Sequence, residues 1–107
     1  MEKAKAFILE WADKQKYSFF QTADLLWENP ELGMEEYASS SKLQELCGQN
    51  GFTVESGVAD MPTAFIASWG QGEPVIGFSA EFDCLPGLSQ DRNALEKKPL
   101  IEGGPGH

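Results

Sequence analysis

The residues best suited to chemistry fall in two short runs. Ser79-Ala80-Glu81-Phe82-Asp83-Cys84-Leu85-Pro86-Gly87-Leu88 is an apolar stretch that ends in a pair of carboxylates, and Gly103-Gly104-Pro105-Gly106-His107 is a glycine-rich run closing on the chain's one histidine. Glu81 and Asp83 stand two apart, so in extended backbone both project to one face with Phe82 opposite. Sites in α/β sheets commonly lie at the carboxyl ends of strands. Two carboxylates placed there can hold a hard cation, orient a metal-bound histidine, or exchange protons with a substrate. The plainer reading is that they end the strand and cap loop amides. His107 is by itself as much a solvated residue as a ligand. A phosphate-loop reading of the glycine run fails, because the Lys-Ser/Thr ending and a preceding strand are missing.

The elements that must position these residues follow from the apolar spacing. Residues 2–28 read as one long amphipathic helix, with Ala4, Phe7, Ile8, Trp11 and Ala12 continued by Phe19, Phe20, Ala23, Leu26 and Trp27. That aromatic stripe is expected in a core. Pro30 stops the helix. A connector from Pro30 to Tyr37 leads to a second helix, roughly 36–49, with Leu43, Leu46 and Cys47 on its buried face and Asn50-Gly51 as its stop. The period then changes to two. Phe52–Val58, Thr63–Trp69 and Pro74–Ala80 are expected as strands, the last buried on both faces and joined to the second by a Gly70–Glu73 hairpin turn. Residues 86–107 read as a loop over the sheet edge. The expected fold is α/β, two N-terminal helices packed on a mixed sheet. Helices and strands occupy 1–85 and an active-site loop 86–107.

Composition narrows the function. The chain has 107 residues, 41% of them hydrophobic, and a net charge of −9. That charge argues against nucleic acid and against an anionic membrane surface. No run approaches a membrane span, and no signal peptide is visible at Met1–Glu10. Cys47 and Cys84 are expected as reduced thiols in a cytoplasmic protein. One histidine and two scattered cysteines make a poor zinc set.

Three segments together resemble a known family. Asn29-Pro30-Glu31-Leu32-Gly33-Met34-Glu35-Glu36-Tyr37, Phe52-Thr53-Val54 through Pro62-Thr63-Ala64, and Ser79 through Gln90 are similar, in order and spacing, to the two-metal amidohydrolases and peptidases that include aminoacylase, hippurate hydrolase and the plant auxin-conjugate hydrolases. The long first helix, Trp27, Leu88-Ser89-Gln90 and the Gly103–His107 run look most like the family's aminobenzoyl-glutamate branch. The resemblance implies a partial zinc-peptidase-like catalytic domain. It also implies a larger, oligomeric enzyme that cleaves N-acyl or aminobenzoyl amino acids, glutamate conjugates foremost, with two divalent ions, zinc or manganese. In relatives with a different active-site variant the position of Glu81 is a metal-ligand histidine and that of Asp83 a supporting aspartate. Asp83 therefore takes the supporting role, while Glu81 and His107 are active-site neighbours and no residue is assigned as a ligand. In this branch the loop continues past His107 into Gly-Cys-Gly-His, whose Cys and last His bind metal. The expectation is an N-terminal fragment, inactive by itself and without bound cofactor. The competing expectation is a small acidic α/β interaction domain without catalysis. A third is a compact metal module built from Glu81, Asp83, Cys84 and His107.

Overall fold

The computed structural model describes residues 1–107. Helix α1 spans Glu2–Glu28 and helix α2 Tyr37–Gln49; strands β1, Thr53–Ser56, and β2, Phe65–Ser68, form an antiparallel pair. The architecture is α/β, with two helices packed on a small sheet. Residues 86–107 contain neither helix nor strand.

Helix α1 ends where the sequence requires. Asn29 directs both its backbone N–H and its side-chain Nδ2 to the carbonyl of Leu25, at 3.1 and 2.9 Å, and Pro30 cannot continue the ladder. Surface pairs such as Lys14–Glu10 at 2.6 Å add a few tenths of a kcal/mol. Helix α2 starts without a side-chain bond from its own N-cap, Glu36. The Glu31 carboxylate supplies that bond instead, from the connector. It accepts the N–H of Ala38 at 3.0 Å, the N–H of Ser39 at 2.7 Å and the Ser39 hydroxyl at 2.6 Å. These are the amides an N-cap side chain normally satisfies, and a carboxylate there also meets the positive end of the helix dipole.

The hairpin pairs Val54 with Ala67 and Ser56 with Phe65, while Thr53, Glu55, Ile66 and Ser68 alternate onto the other face. Val54, Phe65 and Ala67 are half-buried, and the other face is exposed. This is the two-residue period expected of a strand pair covered on one side. The inner face is held to α2 by side chains. The Ser56 hydroxyl donates to Gln44 Oε1, Gln44 Nε2 donates to Ser40 Oγ at 2.9 Å, and Ser40 Oγ donates to the Thr63 carbonyl at 2.6 Å. The connection between β1 and β2 turns through Gly57, at φ 68°, and a short 3-10 segment, Val58–Asp60.

Two features depart from the expected pattern. Pro74–Ala80 joins no ladder and is open to solvent, with Phe78 95% exposed. The hairpin turn expected at Gly70–Glu73 therefore has no strand after it. A charge-free strand needs a layer on each face, and nothing in the chain provides either. The aromatic stripe of α1 is likewise not a core. Phe7, Phe19 and Phe20 are exposed, and Trp11 and Phe19 only border an open groove shared with Leu46, Cys47, Phe52 and Trp69.

Cys84 is the one fully buried apolar side chain, among nine buried residues in all. The radius of gyration is 16.6 Å, against about 13 Å for a compact domain of this length. The accessible surface is 8,624 Å², against roughly 5,900 Å² for a folded monomer of this mass. The excess, roughly 2,700 Å² on one chain, is well above the roughly 800 Å² per partner of a standard interface and falls in the range of large, obligate ones. The chain by itself is expected to self-associate and to bind an apolar dye at micromolar concentration. Sedimentation finding a monodisperse, dye-silent monomer would contradict that expectation.

Candidate functional site

The site is built around the connector. Its backbone carbonyl at Glu31 accepts the N–H of Cys84 at 2.8 Å, forming a parallel bridge between Leu32 and Cys84. A tight turn follows, with Glu35 N–H donating to the Leu32 carbonyl at 2.9 Å and Met34 at φ 72°. Glu36 then turns inward. Its carboxylate, 8% exposed, accepts the Thr63 hydroxyl at 2.6 Å. Connector, α2, hairpin and the 81–84 run are thus tied together by polar contacts on Glu31, Glu36, Ser40 and Thr63.

These contacts set the charges. Burial pushes the Glu31 carboxyl up, but the bonds from Ser39 and the Ala38 and Ser39 amides more than offset it, and its pKa lies below the ordinary 4.5. Glu36 behaves alike: burial raises it, the neighbouring charge of Glu31 raises it further, and the Thr63 hydroxyl with the Glu36 and Met34 amides brings it below 4.5. The Cys84 thiol is pushed up, chiefly by burial and then by the negative charges of Asp83, Glu31 and Glu36. It is a protonated core group and a poor thiolate ligand.

Glu81 and Asp83 are both exposed and line one cavity of about 640 Å³, together with Met34, Glu36, Met61 and Thr63. Phe82, expected on the opposite face, helps line the same cavity, and its ring lies 6.2 Å from that of Phe65. The glycine run is fastened to the segment just after the carboxylates. Leu85 and Gly106 exchange both backbone bonds at 2.9 and 3.0 Å, and Ser89 N–H donates to the Gly104 carbonyl at 3.0 Å. Gly106 has to be glycine, since a Cβ there would collide with the Leu88 carbonyl. His107 therefore lands near Glu81. The two line a second, smaller cavity of about 200 Å³ with Ala23, Leu26, Trp27 and Phe82.

Sequence reasoning missed the residues that hold this loop. The Ser89 hydroxyl accepts the Ile101 N–H at 3.0 Å, and Gln90 bonds Lys98 N–H and the Glu96 carbonyl at 3.0 and 2.9 Å. It also missed Glu31, half-buried, and Glu36, buried, as the residues that organise the connector. Their signal was present, as acidic residues flanking a Gly-Met turn before a helix without its own cap.

The implied pair of divalent ions does not fit the residues of this chain. No three of its His, Cys, Asp and Glu side chains come together in a group that can hold an ion. A compact metal module built from Glu81, Asp83, Cys84 and His107 is not formed.

The connector and the glycine run can each be tested. Glu31→Ala strands the Ala38 and Ser39 amides and is expected to cost about 2 kcal/mol, read as a lower urea midpoint in dilute solution, with Glu35→Ala near neutral as the control. Because the folded carboxyls of Glu31 and Glu36 titrate below their ordinary value, their contribution is complete above pH 4.5 and is lost as pH falls through the folded values. Stability that stays flat across that acid window would contradict the assignment. Gly106→Ala is expected to unfasten the 85–89 and 104–107 segments, seen as loss of amide protection at Leu85 and Ser89.

No family model matches the chain. It is similar to a component of p-aminobenzoyl-glutamate hydrolase, the subunit designated B, from Escherichia coli (strain K12), with 42% identity over 96 residues. The match takes in 90% of this chain, which spans only about 20% of that protein's length.

Proposed function

We propose that residues 1–107 form the N-terminal part of the catalytic domain of an amidohydrolase that cleaves aminobenzoyl-glutamate or related N-acyl amino acids. The single observation that carries this reading is the 42% identity over nine-tenths of the chain to a protein named as a hydrolase of p-aminobenzoyl-glutamate. The open surface supports it, because roughly 2,700 Å² beyond that of a compact monomer calls for a larger body around it.

In this reading the chain contributes scaffold and cavity wall. Asp83 and Glu81 face the reaction space as neighbours of the reacting groups, with Asp83 in a supporting role. The connector fixes Asp83, since Glu31 holds the next residue, Cys84, by a backbone bond of 2.8 Å. Two divalent ions, zinc or manganese, supply Lewis-acid chemistry to such hydrolases, and their ligands are then drawn from outside these residues. The chain alone is inactive. The relative's designation as one subunit of its enzyme supports assembly with further chains, and the free thiols of Cys47 and Cys84 agree with a reducing cytoplasm.

A chimera tests this directly. Residues 1–107 replace the matching part of the E. coli protein, and hydrolysis of p-aminobenzoyl-glutamate is assayed in the assembled enzyme. The chimera is expected to hydrolyse the amide and the 107-residue chain to be silent. Asp83→Asn in the chimera is expected to lower kcat/KM by about 10- to 100-fold. A folded but inactive chimera would sink the reading in favour of an interaction domain, for which the open groove at Trp11, Phe19 and Trp69 is the favouring observation.

A further inference from the structure

His107 makes one side-chain hydrogen bond, between its ring nitrogen Nε2 and the backbone carbonyl of Leu26, at 3.2 Å. A carbonyl oxygen only accepts, so Nε2 carries the proton. The neutral ring is then fixed as the Nε2–H tautomer, with Nδ1 unprotonated, since the bond made by one ring nitrogen decides the state of the other.

The acceptor matters as much as the donor. Leu26 lies in the last turn of α1, where backbone carbonyls have no partner further along the helix. Asn29 satisfies Leu25 with both its donors, and the last turn has no basic side chain. His107, 81 positions away in sequence, supplies the missing donor. The ring is held a second time, stacked on Trp27 with centroids 6.4 Å apart and planes inclined by 28°.

The backbone just before the ring is equally constrained. Gly106 exchanges two bonds with Leu85, and Gly104 accepts from Ser89. Adjacent residues thus fasten the glycine run to two different elements: Gly106 to the segment after the carboxylates, and His107 to the end of α1. We infer that His107 is a positioning residue. Its imidazole latches the Gly103–His107 run to the C-terminal end of α1, fixes that run beside Glu81, and leaves Nδ1 as the open acceptor at the junction. This role stands on the geometry alone and does not depend on the hydrolase reading.

Because the chain has one histidine, selective ¹⁵N-histidine labelling of the 107-residue protein reports this ring alone, in solution or, if the chain self-associates, in the solid state. At alkaline pH the Nε2–H tautomer is expected, with an Nε2 proton correlation and an unprotonated Nδ1 resonance. An Nδ1–H tautomer, or one averaged resonance pair from a freely exchanging ring, would overturn the assignment. A second measurement uses Trp27 emission in a Trp11→Phe, Trp69→Phe background. His107→Ala is expected to shift that emission to the red, and His107→Gln, which keeps an N–H donor, to restore it. Equal spectra for the three proteins, or a Gln variant no better than Ala, would also overturn it.

Discussion

The structure depends on one residue bonded in two directions. The Glu31 carboxylate closes the open amides at the start of α2, while the Glu31 carbonyl holds the N–H of Cys84. The first contact fixes where α2 begins. The second fixes where the carboxylate-bearing run ends. Since Glu36 binds Thr63 from the same connector, the hairpin is brought into the same assembly. Few apolar contacts contribute, with Cys84 the sole fully buried apolar side chain. The centre of this molecule is polar and directional, so it specifies geometry more strongly than it supplies stability.

Everything nearer the candidate site is hung from that centre. Cys84 leads into Leu85, Leu85 pairs with Gly106, and Gly106 delivers His107 to the last turn of α1. The path returns to the helix from which the chain began. Glu81 lies where the two cavities meet, one shared with Asp83 and the other with His107. The strand-like run before Glu81 and much of the aromatic stripe of α1 both face water.

Much of this was legible in the sequence. The bounds of α1 and α2 follow from apolar spacing, Pro30 and Asn50-Gly51, and the first two strands from the change of period. Local signals sufficed there because capping and turn chemistry are local. Pro74–Ala80 was read as a buried strand on equally good local grounds. Its residues do suit one, but burial depends on layers that local sequence cannot report. For the same reason Phe7, Phe19 and Phe20 suit a core yet have nothing to pack against. The hidden part of the site is its long-range polar wiring. Glu31 to Ser39, Glu36 to Thr63 and His107 to Leu26 join residues far apart in sequence, through donors and acceptors that no periodicity marks.

Hydrogen exchange, followed residue by residue in the 107-residue chain in dilute solution, below the concentration at which it self-associates, tests most directly whether this polar wiring organises the fold. Outside the helical ladders, the account predicts protection at the amides of Cys84, Leu85, Ser89 and Gly106, and rapid exchange throughout 75–80. Protection spread over 75–80, with Cys84 and Gly106 exchanging freely, would mean that an apolar strand rather than the Glu31 connector holds the molecule together, and the account would be wrong.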